Sequence, residues 1–270
     1  MLKLIRFKLT LTPEEKINSS MSSLFHGVLI ELANKKVAAS LHEDGLRPFS
    51  QCVYFDREEN AAFWRIGTLT AEVFEQIVAP LFDKKTIFLR QKNWQVTLSE
   101  PQLLMQTSCE EIADEIFPQS DSPQAVHLQF ITPTAFKREG NYVIFPDKIF
   151  LINSLLQRWN SFSGQMKLED VNLVGKLAEF CRITRYNLYT QPFSIEHVKI
   201  NGFCGQLNIH FGGNDMVKRI VGSLFKFAPF AGFGIKTALG MGAVNAKIFW
   251  RCKHDSVQSD WCHGSNTRLF

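Results

Sequence analysis

The sequence predicts an α+β protein of two tandem ferredoxin-like (βαββαβ) domains, with a glycine-rich loop near its C-terminus. Three observations support this. Residues 1–120 carry period-two and period-3.6 apolar patterns in the order strand, helix, strand, strand, helix, strand. A strand-rich second half, residues 121–250, shares that order without sharing its sequence. The polar stretch FPQSDSPQ at 117–124 lies between the halves and reads as a linker. The polar segment 251–270 reads as a flexible tail.

Each element has a local signal. LKLIRFKLTL at 2–11 alternates apolar and charged residues, as a half-buried strand does, and Pro13 with Glu14–Glu15 ends it. After Ser20, Leu24, Val28 and Leu32 recur at helical spacing until Gly45 and Pro48 close the section. RPFSQCVYFD (47–56) and AAFWRIGTLT (61–70) form two strands joined by a charged turn at Arg57–Asn60. Thr70 is placed to cap a helix running from Ala71 to Leu81. TIFLR at 86–90 and NWQVTLSE at 93–100 are β-like. In the second half, AVHLQFITPTAF reads as a strand, 148–160 as a strongly apolar helix, and 168–179 as a further helix beyond a minimal unit. ITRYNLYTQPF, EHVKINGFCGQLNIHF, a helix at 215–227 and a strand at 243–250 complete the order.

Composition sets bounds on the function. With 270 residues, 45% apolar and 21% charged, the chain has material for a large core and is not of disordered type. A net charge of +4 permits a polyanionic partner without requiring one. The 24 phenylalanines suit a core, or stacking on bases where exposed. Six cysteines are scattered without a CxxC, and MLKLIRFKLT is too short and too charged for a secretory leader. No apolar run approaches the roughly 18 residues of a membrane span. A cytoplasmic protein with reduced thiols, away from membranes, is therefore expected.

Candidate chemistry lies at both ends. In FKFAPFAGFGIKTALGMGAV (225–244), Gly232, Gly234, Gly240 and Gly242 surround Lys236. Successive amides in such a loop can hold an anion, and a lysine favours phosphate, but a hairpin packed on the core fits the pattern equally well. In SLHEDGLRPFSQ, His42 is suited to proton transfer and Arg47 to stabilising charge on a phosphate, against the plainer reading of a surface histidine and a strand-start arginine. His26 lies one turn before Ile30 on the same helix face and reads first as a partly buried helix histidine. His127, His197 and His210 alternate with apolar residues and read as strand-pairing or solvent-facing side chains. Short basic pairs, Lys137–Arg138 among them, would form a phosphate track if gathered on one side. Cys252, His254, Cys262 and His263 depart from the usual zinc spacings, and no acidic metal constellation stands out, so no metal site is expected.

Together LFHGVLIELA, SLHEDGLRPFSQCVYF, ITPTAFK, QPFSIEHVKINGFCGQLNIHF and GFGIKTALGMG occur in the order found in the CRISPR-associated repeat-processing endoribonucleases, the "Cas six" family of the RAMP superfamily, which the chain resembles over residues 1 to about 250. The resemblance implies precursor CRISPR RNA as substrate and mature guide RNA as retained product. It implies cofactor-free, metal-independent cleavage by 2′-hydroxyl attack. His42 then falls on the family's acid/base histidine and Arg47 where many members have a lysine. Ile30 stands where some members have a tyrosine, which leaves His26 as second-choice acid or base. Gly232, Gly234, Gly240 and Gly242 would allow close approach of RNA, with Lys236 on phosphate. A non-catalytic RNA-binding subunit of an effector complex is the alternative, with other effector subunits as partners.

Overall fold

The computed structural model describes residues 1–12, 17–33, 45–195 and 198–250. His42, His197 and the Cys/His tail lie outside the described residues. The first sheet contains β1 (Leu2–Thr12), β2 (Phe49–Asp56), β3 (Ala61–Thr68), β4 (Thr86–Leu89), β5 (Trp94–Leu98) and β6 (Gln102–Thr107). Its strand order is β2-β3-β1-β5-β4, and β5 and β6 share one edge of β1, pairing with its C-terminal and N-terminal halves. The second sheet has the order β10-β11-β7-β12, from β7 (Pro123–Thr134), β10 (Cys181–Ile195), β11 (Val198–Phe211) and β12 (Val244–Trp250). A small hairpin, β8 (Phe136–Arg138) with β9 (Asn141–Val143), projects after β7. Antiparallel neighbours with the first strand central give both sheets ferredoxin-like order.

The helices follow their local signals, with instructive departures. α1 (Ser22–Leu32) and α2 (Ala71–Val73, continuing as a π turn to Val78 and a 3-10 turn to Leu81) cover one face of the first sheet. Thr70 caps α2 by accepting from Val73 N at 3.3 Å. α3 (Cys109–Ile116) follows β6, and α4 (Lys148–Phe162), α5 (Leu173–Glu179) and α6 (Asp215–Ala231) pack on the second sheet. α5 is shorter than the 168–179 pattern suggests, because Asn172 takes the left-handed conformation (φ 57°) just before it. α6 continues past Pro229 to Ala231, since the first sheet holds its last turn: Arg65 donates to Pro229 O (3.1 Å) and Ser50 to Phe230 O (2.7 Å).

That contact also makes β1 more than half-buried. Ile5, Phe7 and Leu9 face α1 and α2, whereas Leu2 and Leu4 join the core of the second unit. The connecting segment is tied down too. Arg219 of α6 donates to Ile116 O (2.9 Å), Phe117 O (2.7 Å) and Gln119 O (2.8 Å), so its carbonyls are satisfied by one guanidinium. Among the described residues no helix is long and apolar enough to cross a membrane.

Candidate functional site

Between the two units lies a cavity of about 500 Å³. The first unit supplies His26 and Ile30 from α1, and Gly45 with Arg47 from the approach to β2. The second supplies Lys137 from β8, one face of α4, and Gly234 to Leu239 from the glycine loop. Arg47, Lys137, Arg158 and Lys236 bring four cations to the wall, and no described lining residue carries a carboxylate. A concave, water-accessible space with that balance favours an anion.

Specific contacts hold these parts in register. Buried Gln51 on β2 donates to Ser22 O at the start of α1 and to Ala238 O in the glycine loop, both at 2.9 Å, while its Oε1 accepts from Trp64 Nε1 (3.0 Å). One amide thus joins helix, loop and sheet. Phe49 stacks on the His26 ring with centroids 5.9 Å apart and planes 15° from parallel, fixing the imidazole at the cavity edge. Arg47 donates to Gly45 O at 3.2 Å. Lys236 is exposed and sits at φ 55°, a left-handed conformation that costs a non-glycine residue on the order of 1 kcal/mol and aims it out of the loop.

The amides of the four loop glycines are engaged within the protein. All four amides donate inside the protein: Gly232 to Ala228 O (2.8 Å), Gly234 to Ser154 Oγ (2.8 Å), Gly240 to Thr237 O (3.4 Å) and Gly242 to Pro133 O (3.0 Å). A Cβ on Gly234, Gly240 or Gly242 would overlap Ala135 O, Ser22 or Phe233 O. The close approach that glycine permits here is by the protein's own chain, so these amides form no anion-holding nest. Gly234 and Lys236 line the cavity; Gly232, Gly240 and Gly242 lie behind it. Arg138 also falls outside the lining and meets Glu139 at 3.2 Å, leaving Lys137 as the basic pair's contribution. Sequence reasoning passed over Arg158, although a cation seven residues after Leu151 and three after Leu155 on an apolar helix face was visible. Burial lowers its guanidinium to about 10.

Other chemistry is less well served. Burial pushes the thiols of Cys109, Cys181 and Cys204 up to about 12 and Cys52 to about 11, which leaves them protonated at neutral pH. No group of three or more metal-ligating side chains occurs among the described residues. His127 shares a short contact with Asn208 (2.6 Å) on the open face of the second sheet, away from the cavity.

Comparison with known proteins points one way. The family model for the CRISPR-associated endoribonuclease Cas6 matches residues 128–244. A protein of that name from Streptococcus thermophilus is 30% identical over 221 residues, covering 82% of this chain and 88% of that protein. One from Mycobacterium tuberculosis (strain CDC 1551 / Oshkosh) is 29% identical over 223 residues, covering 82% and 70%. Among solved structures, a Cas6 product complex superposes with a TM-score of 0.75 at 21% identity, over 92% of this chain and 100% of that one, a likeness of fold.

Proposed function

The chain belongs to the CRISPR-associated endoribonuclease Cas6 family, and on that premise we propose that it cleaves precursor CRISPR RNA within the repeats and retains the guide. The observation that carries this reading is the cavity at the junction of the two units, with four cations, an imidazole and no described carboxylate in its wall. A bent RNA backbone fits that electrostatic balance. In the reaction, the 2′-oxygen forms a bond to the scissile phosphorus as the bond to the 5′-oxygen breaks. The products are a 2′,3′-cyclic phosphate and a 5′-hydroxyl. One proton leaves the 2′-hydroxyl and one reaches the departing oxygen, a task for imidazole near neutral pH. His42 takes this acid/base role, and Gly45, three residues later, lines the cavity. Arg47 neutralises charge building on the phosphate, with His26 as a second proton carrier. Lys137 and Lys236 hold flanking phosphates, and no metal ion or cofactor takes part. Other CRISPR effector subunits are further partners in this reading.

Synthetic repeat RNAs incubated with the protein in excess EDTA provide the test. Cleavage with cyclic-phosphate ends is expected, with loss of cleavage but not of binding in H42A. A 2′-deoxy nucleotide at the cut site should block the reaction. Cleavage that needs a divalent ion, or ignores the deoxy substitution, would remove the mechanism. Binding without cleavage would favour a non-catalytic subunit, for which Ile30 in the wall, unable to transfer a proton, is the supporting observation.

A further inference from the structure

Arg158 is 4% exposed, yet it lines the cavity. Its Nη1 donates to Ser154 O (3.1 Å) and Ser154 Oγ (2.8 Å), and its Nη2 to Gly234 O (2.7 Å) and Thr237 Oγ1 (3.3 Å). All four contacts are to neutral acceptors. Its Nε makes no hydrogen bond to a described residue, and no described carboxylate pairs with it. A buried cation is ordinarily paired, because desolvation of an isolated charge is expensive. Lowering of its affinity for the proton by burial alone agrees with that geometry. Arg65 is equally buried, but it lies away from the cavity and ties α6 to the first sheet. The second unit therefore keeps a costly charge at the cavity wall, bonded on one side to the loop that presents Lys236.

We propose that Arg158 is a phosphate-binding residue whose missing counter-charge is a phosphodiester of the bound RNA, and that it sets the glycine loop and receives this anion with the same guanidinium. The proposal rests on the RNA-processing reading and names a phosphate contact within it. The charge matters to ligand binding more than to the fold. Replacing it by a neutral side chain of similar length relieves desolvation in the empty protein while removing the anion's partner.

The test compares wild type, R158M, R158Q, R158K and the distant R65M. Melting is followed against inorganic phosphate at constant ionic strength, and repeat-RNA binding against salt. Wild type should be stabilised by phosphate. R158M or R158Q, whichever folds, should lose the phosphate response, read against its own melting temperature without phosphate. It should bind RNA roughly tenfold or more weakly, with a salt slope smaller by about one contact. R158K should recover the slope, and R65M should melt lower yet respond to phosphate. A neutral Arg158 variant that keeps the phosphate response and the slope overturns the proposal. So does R158K behaving like the neutral variants with every melting temperature lowered, which marks a structural arginine. If wild type ignores repeat RNA but shows an Arg158-dependent phosphate response, the RNA reading fails and the anion site stands. If it cleaves repeat RNA while R158M matches wild type in both assays, only the Arg158 proposal fails.

Discussion

The two sheets share a strand order but depend on their surroundings differently. The first closes its own core between strands β1 to β5 and helices α1 and α2, and among the described residues it takes only Ala238 from the second unit. The second places α6 against its sheet and then uses the far end of that helix to reach the first, drawing in Leu2, Leu4 and Leu69. Equal topology thus comes with unequal autonomy. The glycine loop, emerging where α6 ends, inherits its position from both units.

The strongest way to break this comparison is at the loop. Gly242 has φ 74° and its missing Cβ would overlap Phe233 O, whereas Gly140, at φ 83° in the hairpin, has open space around it. G242A should cost about 3 kcal/mol or more in denaturant unfolding, and G140A about 1 kcal/mol. Equal losses would mean that the loop packs less tightly than described. R65M comes next. It leaves Pro229 O, Val244 O and Asn245 Oδ1 without their donor and should cost about 2–3 kcal/mol, read from the urea midpoint. S50A removes one bond to Phe230 O and should cost about 1 kcal/mol.

The smallest effect should be confined to the second sheet. Burial first, then Arg182 and Lys218, hold His210 below its ordinary value of 6.5. The unfolded chain takes up this proton more readily than the folded one, so stability falls as pH drops below about 6.5. H210Q should flatten that part of the pH–stability curve, measured by thermal melting. An unchanged slope would assign the acid loss elsewhere.

Much of this was legible in the sequence because local patterns and local structure agree. Period-two runs gave the strands, Thr70 capped its helix as read, and the order of elements led to the ferredoxin-like units. What escaped had non-local causes. LKLIRFKLTL cannot reveal that its polar-looking face meets α6, nor Pro229 that another unit will hold the turn around it. The glycine pattern fits an anion-binding loop and a packed loop alike, and only the destination of each amide separates them. Arg158 was overlooked because a lone arginine in an apolar helix usually extends to solvent.

The bonds from Arg65 and Ser50 to the last carbonyls of α6 bear on how the chain assembles during synthesis. The ribosome releases the first sheet well before residue 231, so the receptor for that helix end is complete before the helix itself emerges. Expressed alone, residues 121–250 would lack those donors. Their final helical turn would fray, and the loop behind it would lose its anchor. Dissection into halves should therefore yield an N-terminal piece that folds and a C-terminal piece that aggregates or waits. Adding the first piece in trans should rescue the second.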